Sequence, residues 1–275
     1  MTINRFADIS NWQPATKSWL QALKNEYNVK STCVMITQNI GFFSPTAIAQ
    51  CYYSYQVFGS FSCYHFFKGN GTAEAHNFLN ALQNKIHADK STVVMIDAET
   101  ENIPNLTAHI NNFIDVVYNA GYHHIYVYSM GSMFNYRSDG IQTGKLHHGA
   151  KPWIASIGRG NSWDNRPTGV KVWQYTWTGN VQGHSVDLDY DSIGELSKGI
   201  NEKPKKATYW QKGKLFEAKS MLSTYSDLHL KSKRAPRFGA KSCFYADVVK
   251  DGKITRLKTH LGYVSANTNF SHRVK

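Results

Sequence analysis

Two carboxylates close an apolar run: Val93–Val94–Met95–Ile96 is followed by Asp97, Ala98 and Glu99. On an extended chain residues i and i+2 point to one face, so Asp97 and Glu99 are expected side by side. Neighbouring acids in an apolar setting divide their roles, one keeping its proton and the other ionised. Cleavage of a glycosidic bond uses that division: an acid for the leaving oxygen and an anion for the developing cation. The plain alternative is a pair that caps a following helix or is simply solvated. Asp8 ends a second run, Arg5–Ile9, and Asp187 and Asp189 lie in Val186–Asp187–Leu188–Asp189–Tyr190. The last two share a face, so alternation does not choose between them.

These acids need a frame. Strand patterns occur at Arg5–Ser10, Cys33–Thr37, Cys63–Phe67, Thr92–Glu99, Ile125–Ser129, Pro152–Ser156, Val170–Tyr175 and Val186–Tyr190. Helical spacing of apolar residues predicts helices over Thr16–Tyr27, Thr72–His87 (with Thr72 as N-cap) and Leu106–Asn119. Strands alternating with helices predict an α/β chain with a parallel closed barrel. The later strands have too little sequence between them for full helices, so an irregular TIM-like barrel, helix-poor at its end, is expected. The first and last strands of a closed barrel are neighbours. Asp8, Asp97, Glu99 and one of Asp187 or Asp189 then converge on one mouth, where barrel active sites are built.

The net charge of +12 is unevenly placed. Residues 1–200 hold 14 Lys and Arg against 14 Asp and Glu, whereas residues 201–275 hold 17 against 5. A neutral module, 1–200, thus precedes a basic one, 208–275, across a Gly-, Pro- and Lys-containing linker, 201–207. The basic module shows short aromatic-rich runs at Thr208–Trp210, Met221–Tyr225, Ser242–Val249, Ile254–Thr259 and Gly262–Val264, and a hairpin signal at Asp251–Gly252. These predict a small all-β unit of SH3-like size. Its charge suits a polyanion, but no helix-turn-helix, RNP or zinc motif points to nucleic acid.

Other chemistry finds little support. Cys33, Cys51, Cys63 and Cys243 lack CxxC spacing and read as buried free thiols, as in a reducing compartment. The pairs His123–His124 and His147–His148 would point opposite ways on strands, so no metal site is expected and no cofactor is implied. No GxSxG, HExxH or P-loop pattern occurs. No apolar run reaches the ~18 residues of a membrane helix. The N-terminus lacks a signal-peptide pattern, so synthesis in the cytoplasm is expected.

The ordered stretches Asp8–Ile9–Ser10–Asn11–Trp12–Gln13, Tyr64–His65–Phe66, Asp97–Ala98–Glu99, Tyr128–Ser129, Trp153–Ile154–Ala155, Trp173–Gln174–Tyr175–Thr176 and Val186–Asp187–Leu188–Asp189 resemble glycoside hydrolase family 25, the muramidases often found as phage endolysins. The resemblance covers about residues 3–192. It implies an irregular barrel with fewer than eight helices that cleaves the β-1,4 bond between N-acetylmuramic acid and N-acetylglucosamine in peptidoglycan. Glu99 would be the general acid, Asp97 its partner at the 2-acetamido group, and Asp8 and Asp187 the rest of the acidic floor. Tyr64, Tyr128, Trp153 and Trp173 would contact substrate, although core packing is the simpler reading for any one tryptophan. The family often has Tyr where this chain has Ile157, and Asn where it has Asp189, which leaves open which aspartate faces the site. Residues 208–275, through Ile254–Thr255–Arg256–Leu257–Lys258–Thr259 and Gly262–Tyr263–Val264–Ser265–Ala266–Asn267, resemble SH3-like wall-binding domains of endolysins from lactic acid bacteria. The implied protein is a monomeric endolysin that binds glycan strands and an anionic wall polymer, acts on the wall after release, and uses neither nucleic acid nor membrane insertion. A binding protein that kept the barrel and lost catalysis is the rival reading.

Overall fold

The eight apolar runs all form strands in the computed structural model, which describes residues 3–135, 139–199, 209–252 and 254–275. The chain divides into two compact units, residues 1–201 and 202–275. The expected linker, 201–207, and Thr208 lie outside the described residues.

The first unit runs β1 (Asn4–Ile9), α1 (Lys17–Tyr27), β2 (Val29–Gln38), β3 (Phe42–Phe43), α2 (Ala47–Phe58), β4 (Ser62–Phe66), α3 (Gly71–Ala81), β5 (Val94–Asp97), α4 (Leu106–Asn119), β6 (Ile125–Met130), β7 (Lys151–Ala155), β8 (Val172–Val181), β9 (His184–Asp191) and α5 (Glu195–Lys198). The strands pair in the order β1-β9-β8-β7-β6-β5-β4-β2, and β1 pairs with β2 to close an eight-stranded barrel. β3 is a short hairpin extension of β2. One strand departs from the expected parallel arrangement. β9 runs antiparallel to both β8 and β1. Only ten residues separate Tyr175 from Val186, fewer than the dozen or more that a parallel crossover needs. The reversal places the start of β9, with Asp187, at the barrel end where the other strands finish.

Local chemistry sets the helices. The Thr16 hydroxyl caps α1 by accepting from the Trp19 backbone N–H at 3.3 Å. α3 is capped by Asn70, two residues before the expected Thr72, and the Glu74 carboxylate reaches back to the Asn70 N–H at 2.7 Å. The helix then loosens into a π-helical turn, Leu82–Ile86. A Cβ on Gly71 would meet the His109 carbonyl oxygen at 2.0 Å, so glycine allows α3 to rest on α4. α2 escapes the sequence pattern because its buried face is partly polar, through Gln50 and Ser54.

Two cores result. Leu20, Leu23, Val34, Ile36, Phe78, Ile110, Phe113 and Val127 lie between strands and helices. Phe6, Met35, Tyr64, Met95, Tyr126, Tyr128 and Trp153 fill the barrel interior.

The second unit is all-β: β10 (Leu215–Ala218), β11 (Leu222–Tyr225), β12 (Lys233–Phe238), β13 (Cys243–Tyr245), β14 (Asp247–Asp251), β15 (Ile254–Thr259), β16 (Gly262–Ser265) and β17 (Ser271–Arg273). They form a three-stranded sheet, β13-β10-β17, and a five-stranded sheet, β12-β11-β16-β15-β14. Phe216, Phe238, Phe244, Leu257 and Val264 make the core. The expected run Ser242–Val249 breaks at buried Ala246, giving β13 to one sheet and β14 to the other. Asp251 pairs with Ile254, so the predicted hairpin reverses just after Asp251. The cysteines are all free, but Cys243 is exposed on a sheet edge rather than buried.

Candidate active site

β5 is buried along its whole length and ends on Asp97. The backbone stays extended beyond it, because Phe67 N–H donates to the Asp97 carbonyl and Ala98 N–H to the Tyr128 carbonyl, each at 2.9 Å. The Ser129 hydroxyl holds the Ala98 carbonyl at 2.8 Å. Alternation is therefore preserved through Ala98, with Asp97 and Glu99 on one side. Asp8 pairs in register with Asp187, and Phe6 with Asp189. Asp187 thus stands level with Asp8 at the mouth, and Asp189 lies one pleat deeper, fully buried. The ambiguity in the sequence resolves into depth: both aspartates face inward, and Asp187 is the accessible one.

A hydrogen-bond chain fixes these acids. The Tyr128 hydroxyl donates to Gln174 Oε1 at 2.5 Å, and Gln174 Nε2 donates to Asp8 Oδ2 at 3.4 Å. Trp153 Nε1 donates to Asp189 Oδ1 at 3.0 Å. Asp189 Oδ2 and Asp97 Oδ1 are buried without a donor among the described residues. Asp8 and Asp189 lie close enough for each to shift the other's titration.

Burial pushes the carboxyls of Asp8, Asp97 and Asp189 well above the usual aspartate range, and charge on their acidic neighbours pushes further. Burial likewise lifts Asp187 to about 6. Glu99 is raised first by burial and then by Asp187. Lys68 is the cation that counters Asp97. Burial, reinforced by the nearby acids, raises the phenols of Tyr64 and Tyr128, so both remain protonated donors. Together they make a mouth in which protonated and ionised carboxyls coexist at mildly acidic pH.

Tyr64 points inward from β4, in register with Met35 and Met95, close enough to feel Asp8 and Asp97. Trp153 also points inward, but its ring is fully buried between Phe6 and Tyr128 at 4.9 and 5.1 Å. It offers substrate no open face, and its indole N–H orients Asp189. Trp173 is not brought to the site. Its neighbour Gln174 takes the inward position, so Trp173 projects to the other side of the sheet. There it stacks on Tyr190 at 5.9 Å and donates to the Ser156 carbonyl at 3.0 Å.

Among the described residues, aromatic rings open to solvent beyond these strand ends include Trp12, 81% exposed after β1, Phe42, 41% exposed on β3, and Trp177, 51% exposed on the extended β8–β9 hairpin. α2 supports the loop that carries Trp12: Gln50 Nε2 donates to the Ser10 and Gln13 carbonyls at 2.7 and 3.0 Å. Gln50 carries no sequence signal of its own, and Gln174 lies within Trp173–Gln174–Tyr175–Thr176 without standing out from its aromatic neighbours. A glutamine in a solvated loop and one in a buried hydrogen-bond network look alike in sequence.

His147 and His148 do not diverge as strand neighbours would. They lie in a 3-10 turn with His148 left-handed, and both bond Asp115 Oδ1 at 2.9 Å. Among the described residues no group of three or more His, Cys, Asp or Glu is arranged to hold a metal ion.

No curated protein matches the chain. Several solved structures share its fold. The catalytic domain of the endolysin ply40 from bacteriophage P40 of Listeria monocytogenes aligns at 20% identity and TM-score 0.59, covering 72% of this chain and 98% of that one. A family 25 glycosyl hydrolase from Bacillus anthracis aligns at 18% identity and TM-score 0.56, covering 72% and 94%. A muramidase from Trichobolus zukalii aligns at 17% identity and TM-score 0.52, covering 72% and 100%. The family model for glycosyl hydrolases family 25 matches residues 7–184, from the end of β1 through β8, so that Asp8, Asp97 and Glu99 fall inside it and Asp187 just beyond. A match over so much of the barrel, with the acids gathered at its mouth, means that the chain belongs to glycosyl hydrolases family 25 and is a glycoside hydrolase.

Proposed function

We propose that the first unit hydrolyses the β-1,4 bond between N-acetylmuramic acid and N-acetylglucosamine in peptidoglycan. The observation that carries this reading is the pairing of two unlike acids at one mouth. Glu99 is partly open to solvent with a raised pKa, and Asp97 is buried with one oxygen lacking a donor. Glu99, its pKa raised by burial and then by Asp187, delivers the proton to the leaving glycosidic oxygen. Asp97 Oδ1 is an acceptor awaiting a donor, which the N–H of a 2-acetamido group supplies. Holding that N–H turns the acetamide oxygen toward the anomeric carbon and steadies the oxazolinium that its attack forms. Water then opens the oxazolinium, with Glu99 now taking a proton. Asp8 and Asp187 line the floor, and Asp187 supplies negative charge beside the developing cation. The muramidase and endolysin structures that share the fold support this substrate class.

We further infer that residues 208–275, read as an SH3-like module, hold the enzyme on the bacterial wall, and that it acts there after release from a cytoplasm in which it is made. The excess of cations in residues 201–275 supports an anionic wall polymer as the ligand. Among the described residues no helix is long and apolar enough to cross a membrane.

The test is digestion of purified peptidoglycan by the wild type and Glu99→Gln, with new reducing ends identified by borohydride reduction and mass spectrometry. Reduced muramic acid from the wild type, with cleavage by the variant slower by at least ~100-fold, is expected. Reduced glucosamine would move the cut to the other bond. No new reducing end on walls from several Gram-positive hosts would favour a barrel that binds without cutting.

A further inference from the structure

The five-stranded sheet of the second unit has one face packed on its core and one face free of it. Leu257, Val264 and Thr224 are fully buried on β15, β16 and β11. Their chain neighbours Lys258, Tyr263 and Tyr225 therefore point outward. Register makes these outward residues one continuous row. Lys233 on β12 pairs with Tyr225 on β11, Tyr225 with Tyr263 on β16, and Tyr263 with Lys258 on β15. Residues directly opposite across strands share a face and stand about 5 Å apart. The row is thus cation, aromatic, aromatic, cation. It spans three strand spacings, about 14 Å at the backbone.

Two features fix the row. Gly262 has φ +119° and no Cβ, and a Cβ there would meet the Tyr225 carbonyl oxygen at 2.3 Å. Glycine at that position lets β16 close against β11 and brings the tyrosines together. Arg256, two residues before Lys258 on the same face, donates from Nε to the Leu228 carbonyl at 3.0 Å. It is held beside the β11–β12 turn as a third cation. The acid that follows Lys258 across the sheet, Asp247, is engaged by Lys214.

We propose that this row is a binding surface for a phosphodiester-linked polyol polymer carrying sugar substituents, the chemistry of wall teichoic acids. Lys233, Lys258 and Arg256 meet successive phosphates, and Tyr225 and Tyr263 present rings to a sugar. Charge complementarity selects the polyanion, because residues 201–275 carry 17 cations against 5 acids. The paired tyrosines favour a sugar-bearing polymer over a bare polyphosphate. The proposal rests on the wall-anchoring reading and specifies the place and chemistry of the contact.

The experiment uses the full chain and walls purified from several Gram-positive bacteria, before and after hydrofluoric acid treatment. That treatment cleaves phosphodiesters and leaves peptidoglycan. Binding is measured by cosedimentation for the wild type and for K233E/K258E, both exposed positions, with circular dichroism and thermal unfolding confirming the fold. The wild type is expected to lose at least ~10-fold in affinity on treated walls. K233E/K258E is expected to lose as much on untreated walls and nothing further on treated ones. Equal binding by variant and wild type overturns the row while leaving wall anchoring intact. Wild-type binding that ignores the acid treatment overturns the polymer. Failure of the wild type to bind any wall overturns the anchoring reading itself. Duplex DNA bound as tightly as untreated walls would make nucleic acid the ligand class.

Discussion

Asp187 is an acid the barrel charges at a cost, and replacing it with its amide should make the fold more stable while ending its chemistry. A free aspartate titrates near 3.8, and in the barrel burial lifts Asp187 to about 6. Between those values the folded protein keeps a proton that the unfolded chain has released. Stability is therefore lost as pH rises across that window, and above it the group is ionised in both states at a cost of about 3 kcal/mol. An amide in its place would carry no such cost, and its carbonyl keeps an acceptor beside Gln174, the residue that partly offsets the rise in the Asp187 pKa. Allowing for relaxation around the charge, Asp187→Asn should stabilise the first unit by about 1–3 kcal/mol at pH 7, and by less than about 1 kcal/mol at pH 4. For a unit of this size that raises Tm by about 3–10 °C at pH 7. Tryptophan fluorescence is a suitable probe, because of the seven tryptophans only Trp210 lies in the second unit. A variant that melts at or below the wild type at pH 7, or a gap that does not widen between pH 4 and pH 7, would refute the claim that the acids are held against their own desolvation.

Two further outcomes follow from the packing. Glu74 is fully buried and accepts from His65 Nε2, Lys68 N–H and Asn70 N–H at 2.7, 2.8 and 2.7 Å. Glu74→Ala leaves the buried His65 ring N–H without its acceptor and hands the Lys68 and Asn70 N–H groups to solvent, and should cost about 1–3 kcal/mol, read as a lower urea midpoint of the same fluorescence signal. Burial also shields Cys33, Cys51 and Cys63, raising the thiols of Cys33 and Cys63, whereas Cys243 is exposed. Ellman's reagent should therefore titrate one thiol in the native protein and four after denaturation; a native count of two or more would show that the barrel opens.

What the sequence discloses follows the strength of its physical signals. The strands that carry Asp8, Asp97 and Asp187 are apolar runs bounded by polar turns, and such runs identify themselves. The acids are visible because carboxylates at the ends of apolar strands are costly unless used. The direction of β9 is also present in the sequence, in a connection too short for a crossover, but strand counting alone passes over it. Trp173 and Gln174 show a different limit. Adjacent residues take opposite faces, and the larger aromatic ring is the more obvious sugar contact, yet the glutamine is the one turned inward. α2 is hidden because its buried side is built from Gln50 and Ser54, whose hydrogen bonds replace apolar contact. β12 is hidden for the opposite reason: Lys233–Phe238 is charged, exposed and contains Pro236, a composition that opposes strand formation except at an edge.

That edge carries a solubility burden the barrel does not have. Closure of β1 on β2 leaves the eight barrel strands without a free edge, with the two-residue β3 outside the ring, but the second unit's five-stranded sheet stops at β12 and β14, each offering backbone groups on which another chain could add a strand. On β12 that addition is opposed by Lys233, Arg234 and Arg237, which repel a like strand, and by Pro236, which has no N–H to give. The cations of this strand therefore oppose strand addition by a like copy as well as facing any polyanion. Removing their charge would weaken that barrier to edge-to-edge association, while reversing it would preserve the repulsion between like strands.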